Sequence, residues 1–293
     1  MTTARPIRGM AYETLVEPSE LERHLGEPGW VIIDCRFDLA RADAGRQAYA
    51  QAHISGAHYA HLNEDLSSAP TAASGRHPIP DAEKLAARLG QWGISKSSQV
   101  LAYDDANGAY AARLWWLLRW LGHRNVAVLN GGLQAWLAAG HPTDARPAAA
   151  KHAEFEPQPQ NQAWLTTEQV QRKLATDQIE LIDARAADRF AGRNETIDPV
   201  AGHIPGARNH PFASNLDTQH RFLPAPELRQ RWLEELRSAN AGNVVSMCGS
   251  GVTACHNLLA LEIAGLHGAR LYAGSWSEWI RDPARPIVSA RSS

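Results

Sequence analysis

Residues 244–259 read VVSMCGSGVTACHNLL. Val244 and Val245 predict the end of a short buried strand, and Ala254 to Leu261 predict a helix. Between them lies Cys248-Gly249-Ser250-Gly251-Val252-Thr253. A buried strand, a glycine-rich turn and a helix in succession form the unit from which parallel α/β sheets are built. In such sheets ligands bind at the carboxyl ends of the strands. Cys248 is therefore expected on that rim, facing the positive end of a helix, where a thiolate is stabilised.

The same order of elements is written twice. "VIIDCR" (31–36) corresponds to "ELIDAR" (180–185), and "HISGA" (53–57) to "HIPGA" (203–207). "VLAYD" (100–104) aligns with "VVSMC" (244–248), and "NGGLQAW" (130–136) with "AGSWSEW" (273–279). A near-constant offset between copies marks a tandem duplication. "LVEPSELERHL" and "WLTTEQVQRKL" open the copies. Ser19 with Glu22, and Thr166 with Gln169, have the spacing of capping boxes. The stretch "ARPAAAKHAEFEPQPQNQ" (145–162) has no periodicity and reads as a connector. The expected organisation is a first domain over 1–145, a linker over 146–162 and a second domain over 163–293. Each copy alternates short apolar strands with helical stretches such as "AARLWWLLRWLG" (111–122), so the fold class is α/β with a mainly parallel sheet flanked by helices.

Bulk properties narrow the function. The 293 residues suit two domains, and a hydrophobic content of 44% allows a core in each. A formal net charge of -2 gives no reason to expect nucleic acid or an anionic membrane as partner. No apolar run is long enough to span a bilayer. The start, "MTTARPIRGMAYETL", lacks a secretory apolar core and reads as a flexible lead-in, so a cytoplasmic location is expected. Three cysteines, Cys35, Cys248 and Cys255, make neither a disulfide framework nor a zinc site, and no metal or organic cofactor is expected.

The hexad has a chemical logic of its own. Gly249 and Gly251 permit backbone angles closed to other residues, so several N–H groups can turn toward one point. Ser250 and Thr253 add hydroxyls, and the following helix adds its dipole. Such a nest, built from residues 249–253 including Val252, holds a sulfur anion at Cys248. Copy one carries Asp104 at the aligned position, so any cysteine chemistry belongs to copy two. Cys35 and Cys255 read as packed structural thiols. Trp136, Trp276 and Trp279 read as core.

The tandem layout, "HISGA"/"HIPGA", "CGSGVTA" and "GSWSEW" resemble the rhodanese family of sulfurtransferases, over nearly the whole chain. The loop "CGSGVT" is similar to that of the 3-mercaptopyruvate sulfurtransferase branch, whereas thiosulfate-preferring members carry an Arg and a Lys there. The resemblance implies two rhodanese-like domains and a ping-pong reaction through a persulfide of Cys248. The donor would be a small sulfur compound, and the acceptor a thiol, cyanide or a protein. It also implies that Arg189 binds the donor carboxylate. The family's second substrate arginine is missing from "ETIDP", and Arg193 is the candidate substitute. Arg185 reads as a structural partner of Asp183. Asn63 stands where this branch has an Asp. It leaves three options: Asn63 positions groups by hydrogen bonds, Glu64 or Asp65 takes over, or the acid is dispensable, which is the favoured one. His77 and Arg76, in "SGRHPIP", are possible first-domain contacts, with solvated loop residues as the default. Ser250 can reach the sulfur or the donor keto oxygen and relay a proton. Alternative activities are thiosulfate:cyanide sulfur transfer and a noncatalytic persulfide carrier. A cysteine phosphatase is disfavoured because residues 249–255 carry no basic side chain.

Overall fold

The computed structural model describes residues 11–149, 152–238 and 240–289. The first ten residues of the expected lead-in lie outside them. Two five-stranded sheets dominate. The first has the spatial order Leu15–Val16, Val126–Leu129, Gln99–Tyr103, Trp30–Asp34, His58–Tyr59. The second runs Trp164–Leu165, Arg270–Tyr272, Val244–Met247, Glu180–Asp183, Arg208–Asn209. Every pairing within both sheets is parallel. The two orders coincide strand for strand, so the duplication read in the sequence is a duplication of topology. The strand ending at Met247 is central in its sheet, and Cys248 follows it at the carboxyl rim.

The repeated motifs hold each copy together. Arg36 donates from Nε and Nη2 to Asp34 and from Nη2 to the carbonyl of Ala52 at 2.7 Å. Arg185 does the same with Asp183 and the carbonyl of Gly202, at 2.7 and 2.8 Å. Asp-x-Arg is thus a fork that ties a strand end to the segment before the HIxGA motif. That motif in turn receives the returning end of its own domain. His53–Ile54 pairs antiparallel with Thr143–Asp144, and His203 bridges Val288. Trp136, Trp276 and Trp279 are buried, with their indole N–H groups on the carbonyls of Pro142, Val200 and Pro286.

Helix Ala111–Trp120 is apolar nearly all round because it is covered on both sides. One side lies on its own sheet, the other against helix Ala254–Ile263, its counterpart in the second copy. One hydrophobic cluster therefore runs through both domains, joining Trp116, Leu117 and Val100 to Cys255, Leu258 and Val244. Each copy keeps a separate cluster on the outer face of its sheet.

One local expectation changes. The capping box at Thr166 and Gln169 is present. The one at Ser19 is not: Pro18 opens that helix after Glu17, so Ser19 lies inside the first turn and no side chain caps it. The connector after residue 145 packs along the first domain. Phe155 is buried, and the N–H groups of Ala153, Gln158 and Gln160 donate to the carbonyls of Gly90, Leu121 and Trp120 at 2.8–3.0 Å. Its aperiodic sequence hid these contacts because they are made by backbone, not by a repeating apolar face.

Candidate active site

Copy one shows what the loop after the central strand is shaped to hold. The fully buried carboxylate of Asp104 accepts four backbone N–H groups, from Ala106, Gly108, Tyr110 and Ala111, at 2.8–2.9 Å. The loop is an anion nest closed by its own side chain. In copy two Cys248 takes that position. Its Sγ lies 3.5 Å from the N–H of Ser250, the counterpart of Ala106. Cys248 is only 2% exposed, so its sulfur depends on these donors rather than on bulk water.

The two glycines serve different ends. Gly251 has φ of +76° and a side chain there would meet the carbonyl of Ala273 at 2.5 Å. Gly249 has no such backbone angle; it is small because the Arg76 guanidinium lies over it, with Nη2 2.9 Å from where a Cβ would stand. Val252 is buried in the shared core. Thr253 precedes the helix in helical geometry, and its hydroxyl makes no cap bond. Of the expected donors, the N–H of Ser250 is the one recorded at the Cys248 sulfur.

Behind the nucleophile sits Ser275, which the sequence reading passed over. Its φ is +52°, a left-handed angle that its copy-one counterpart Gly132 adopts at +59°. Its hydroxyl accepts the N–H of Cys248 at 3.1 Å and donates to the carbonyl of Tyr272 at 2.8 Å. A non-glycine residue in this region is strained, and here the strain coincides with the anchor of the nucleophile.

The first domain contributes a hydrogen-bonded chain. His77 is 5% exposed, not solvated as the default reading had it. Its Nε2 faces Asn63 Oδ1 at 3.1 Å and its Nδ1 faces the Ser250 hydroxyl at 2.7 Å. Asn63 Oδ1 can only accept, so Nε2 carries the proton and Ser250 donates to Nδ1. Burial, with the charges of Arg113 and Arg76 adding, pushes the His77 pKa down to about 3, so the ring is neutral at physiological pH. Glu64 pairs with Arg46, and Asp65 pairs with Arg88 and caps the N–H of His61. Neither acid faces His77; Asn63 does.

Arg113 closes the chain from behind. It is fully buried and donates to the carbonyl of Gly251 at 3.0 Å and to that of His77 at 3.2 Å. One guanidinium from the first domain thus fastens both the catalytic loop and the histidine that touches it. Cys255 donates to the same Gly251 carbonyl at 3.4 Å. Burial pushes its pKa up to about 12, so it stays a thiol.

A cluster of charged groups lies over Gly249. Arg189 donates to both oxygens of Glu195 from Nε at 3.1 Å, and to Asp198 from Nη2 at 3.1 Å. Asp198 is also paired with Arg76. Arg193 is exposed; the second guanidinium beside Gly249, with that of Arg189, belongs to Arg76 of the other domain. No signal in the sequence pairs Arg76 with Asp198, because 122 positions separate them. Among the described residues no cluster of His, Cys, Asp or Glu could hold a metal ion, and no helix is long and apolar enough to cross a membrane.

Comparison with known proteins agrees with this fold. Residues 17–139 and 166–282 each match the rhodanese-like domain. The chain is 47% identical to a probable 3-mercaptopyruvate sulfurtransferase of Pseudomonas aeruginosa, over 96% of this chain and 99% of that one. It is 39% identical to a putative thiosulfate sulfurtransferase, SseB, of Mycobacterium tuberculosis, over 87% and 89% of the two chains. Its fold superposes on the 3-mercaptopyruvate sulfurtransferase from Leishmania major with a TM-score of 0.80, at 35% identity, covering 91% of this chain and 74% of that one.

Proposed function

The chain belongs to the rhodanese family and is a sulfurtransferase, and on that premise we propose that it moves the sulfur of 3-mercaptopyruvate to a thiophilic acceptor through a persulfide on Cys248. The observation that carries this reading is the meeting, at one point, of the Cys248 nest with the Asn63–His77–Ser250 chain. A nest alone would stabilise a bound sulfur. The attached chain adds a way to move a proton.

The steps balance within the site. The Cys248 thiolate attacks the sulfur of mercaptopyruvate, an S–S bond forms, and the C–S bond breaks. Its electron pair passes to the methylene carbon as the enolate of pyruvate. The thiol proton of the donor passes through the Ser250 hydroxyl, held in place by the neutral His77 ring, to that carbon, so pyruvate leaves and Cys248 keeps the persulfide anion. Backbone N–H groups of residues 249–253 hold that anion, as the same loop in copy one holds the Asp104 carboxylate. Arg189 and Arg76 attract the donor carboxylate. Cyanide, a thiol or a protein thiol then takes the outer sulfur and restores the Cys248 thiolate.

A thiosulfate donor is the second reading. What favours it is the Arg76 guanidinium over Gly249, a cation where the loop itself supplies none. Steady-state sulfur transfer to cyanide separates the two. A kcat/KM for mercaptopyruvate above that for thiosulfate by about tenfold or more is expected, with no turnover and no persulfide in Cys248→Ser. A thiosulfate preference favours the second reading. Persulfide formation without turnover favours a carrier, and full turnover in Cys248→Ser sinks both.

A further inference from the structure

Three charged side chains converge on the backbone next to the nucleophile. The position of a Cβ at Gly249 lies 2.9 Å from Arg76 Nη2, 3.7 Å from Arg189 Nη2 and 3.7 Å from Asp198 Oδ2. Asp198 stands between the two arginines, accepting from both, and its side chain is 1% exposed. Glu195 takes the remaining face of Arg189, with Nη2 to Oε1 at 2.8 Å. Glu195 also accepts from Arg185, whose charge Asp183 answers, so within this cluster the formal charges of Arg76 and Arg189 are matched by those of Glu195 and Asp198. Arg76 keeps a buried Nε with no hydrogen-bond partner and an Nη2 turned toward Gly249. The cations are oriented to receive a ligand, while their charge is already answered.

We propose that Asp198 is the residue that sets donor specificity by charge: seated between Arg76 and Arg189 over Gly249, it holds the entrance near neutrality, admits a monoanionic 2-oxo acid thiol and disfavours dianionic thiosulfate. The inference rests on reading this opening as the donor site. Its physics is simple repulsion. An anion held by the free edges of the two arginines lies close to the Asp198 carboxylate, and a dianion feels that charge twice.

The test compares kcat/KM for thiosulfate and mercaptopyruvate in wild type, Asp198→Asn and Asp198→Glu. Asp198→Asn is expected to raise the thiosulfate-to-mercaptopyruvate ratio about tenfold. Asp198→Glu, which keeps the charge, is expected to keep the wild-type ratio. A proportional loss for both donors in Asp198→Asn would make Asp198 a structural clamp and overturn the proposal. A second measurement needs neither a variant that folds nor turnover: protection of wild-type Cys248 from iodoacetamide by pyruvate and by sulfate at low ionic strength. Tighter protection by pyruvate is expected; tighter protection by sulfate overturns the charge argument. Because protection is read without turnover, a wild type inactive on both donors would count against the proposed function and leave the charge argument decided by the protection ratio, with Asp198→Asn expected to shift that ratio toward sulfate.

Discussion

The Ser250 hydroxyl of the second domain donates to Nδ1 of His77 in the first domain at 2.7 Å, and 173 positions of chain separate them. The candidate site is therefore assembled where the two copies meet. The copy that carries Asp104 in place of Cys248 supplies His77, Asn63, Arg76 and Arg113 to it.

In the proposed mechanism Ser250 relays the proton and His77 orients the Ser250 hydroxyl, so their losses are expected not to be additive. Ser250→Ala and His77→Asn are each expected to lower kcat for the mercaptopyruvate half-reaction by about a hundredfold, and the double variant by little more than either. Transfer of sulfur from a preformed Cys248 persulfide to cyanide needs no such proton and is expected to change far less. Single-turnover measurement of pyruvate release, set beside thiocyanate formation, reads the two steps separately. Fully multiplicative losses in the double variant would mean that the two residues work independently.

His77 also makes a pH prediction. Its folded pKa, about 3, lies below the ordinary value of 6.5 because of burial and of the charges on Arg113 and Arg76. As pH falls below 6.5 the unfolded chain binds the proton first, so stability is lost from 6.5 downward until the folded ring protonates near 3. At pH 5 the loss is about 2 kcal/mol from this ring. Denaturant melts at pH 7.5 and pH 5 should show a smaller drop in His77→Asn than in wild type. Asn63→Asp places a carboxylate on Nε2 and should raise the His77 pKa, an upward shift of its ring-proton NMR titration; an unmoved titration would show that Asn63 does not set the state of the ring.

Ser275 offers a separation of strain from anchoring. Its backbone is left-handed, and its hydroxyl holds the N–H of Cys248. Ser275→Gly relieves the strain and loses the anchor, while Ser275→Ala keeps the strain and loses the anchor. Ser275→Ala is expected to be less stable than wild type by about 1 kcal/mol, and Ser275→Gly to recover about that amount. Both should slow persulfide formation, because the nucleophile loses its fixed backbone. Thermal melts and iodoacetamide rates measure the two effects; wild-type alkylation kinetics in Ser275→Gly would show that the hydroxyl does not position Cys248.

Much of this protein was legible in the order of its residues. The Asp-x-Arg and HIxGA motifs recur in both copies, and each makes contacts within its own domain. Local rules suffice for such features: an apolar run makes a strand, a glycine at φ of +76° makes the turn, and Cys248 sits where a strand end meets a helix start. The sequence also identified the copy that carries the nucleophile, since Asp104 and Cys248 occupy aligned positions. What the tertiary structure alone decided is everything that crosses the interface. His77 read as a loop residue because nothing near it in the chain is its partner. Arg76 covers Gly249, and Arg113 reaches Gly251, only because helices Ala111–Trp120 and Ala254–Ile263 bury their apolar faces against each other. The arginine missing from "ETIDP" was sought nearby at Arg193, yet the second guanidinium beside Gly249 comes from the other domain. Hydrophobic burial sets the docking of the copies, and the docking, not the local sequence, sets which charges face the sulfur.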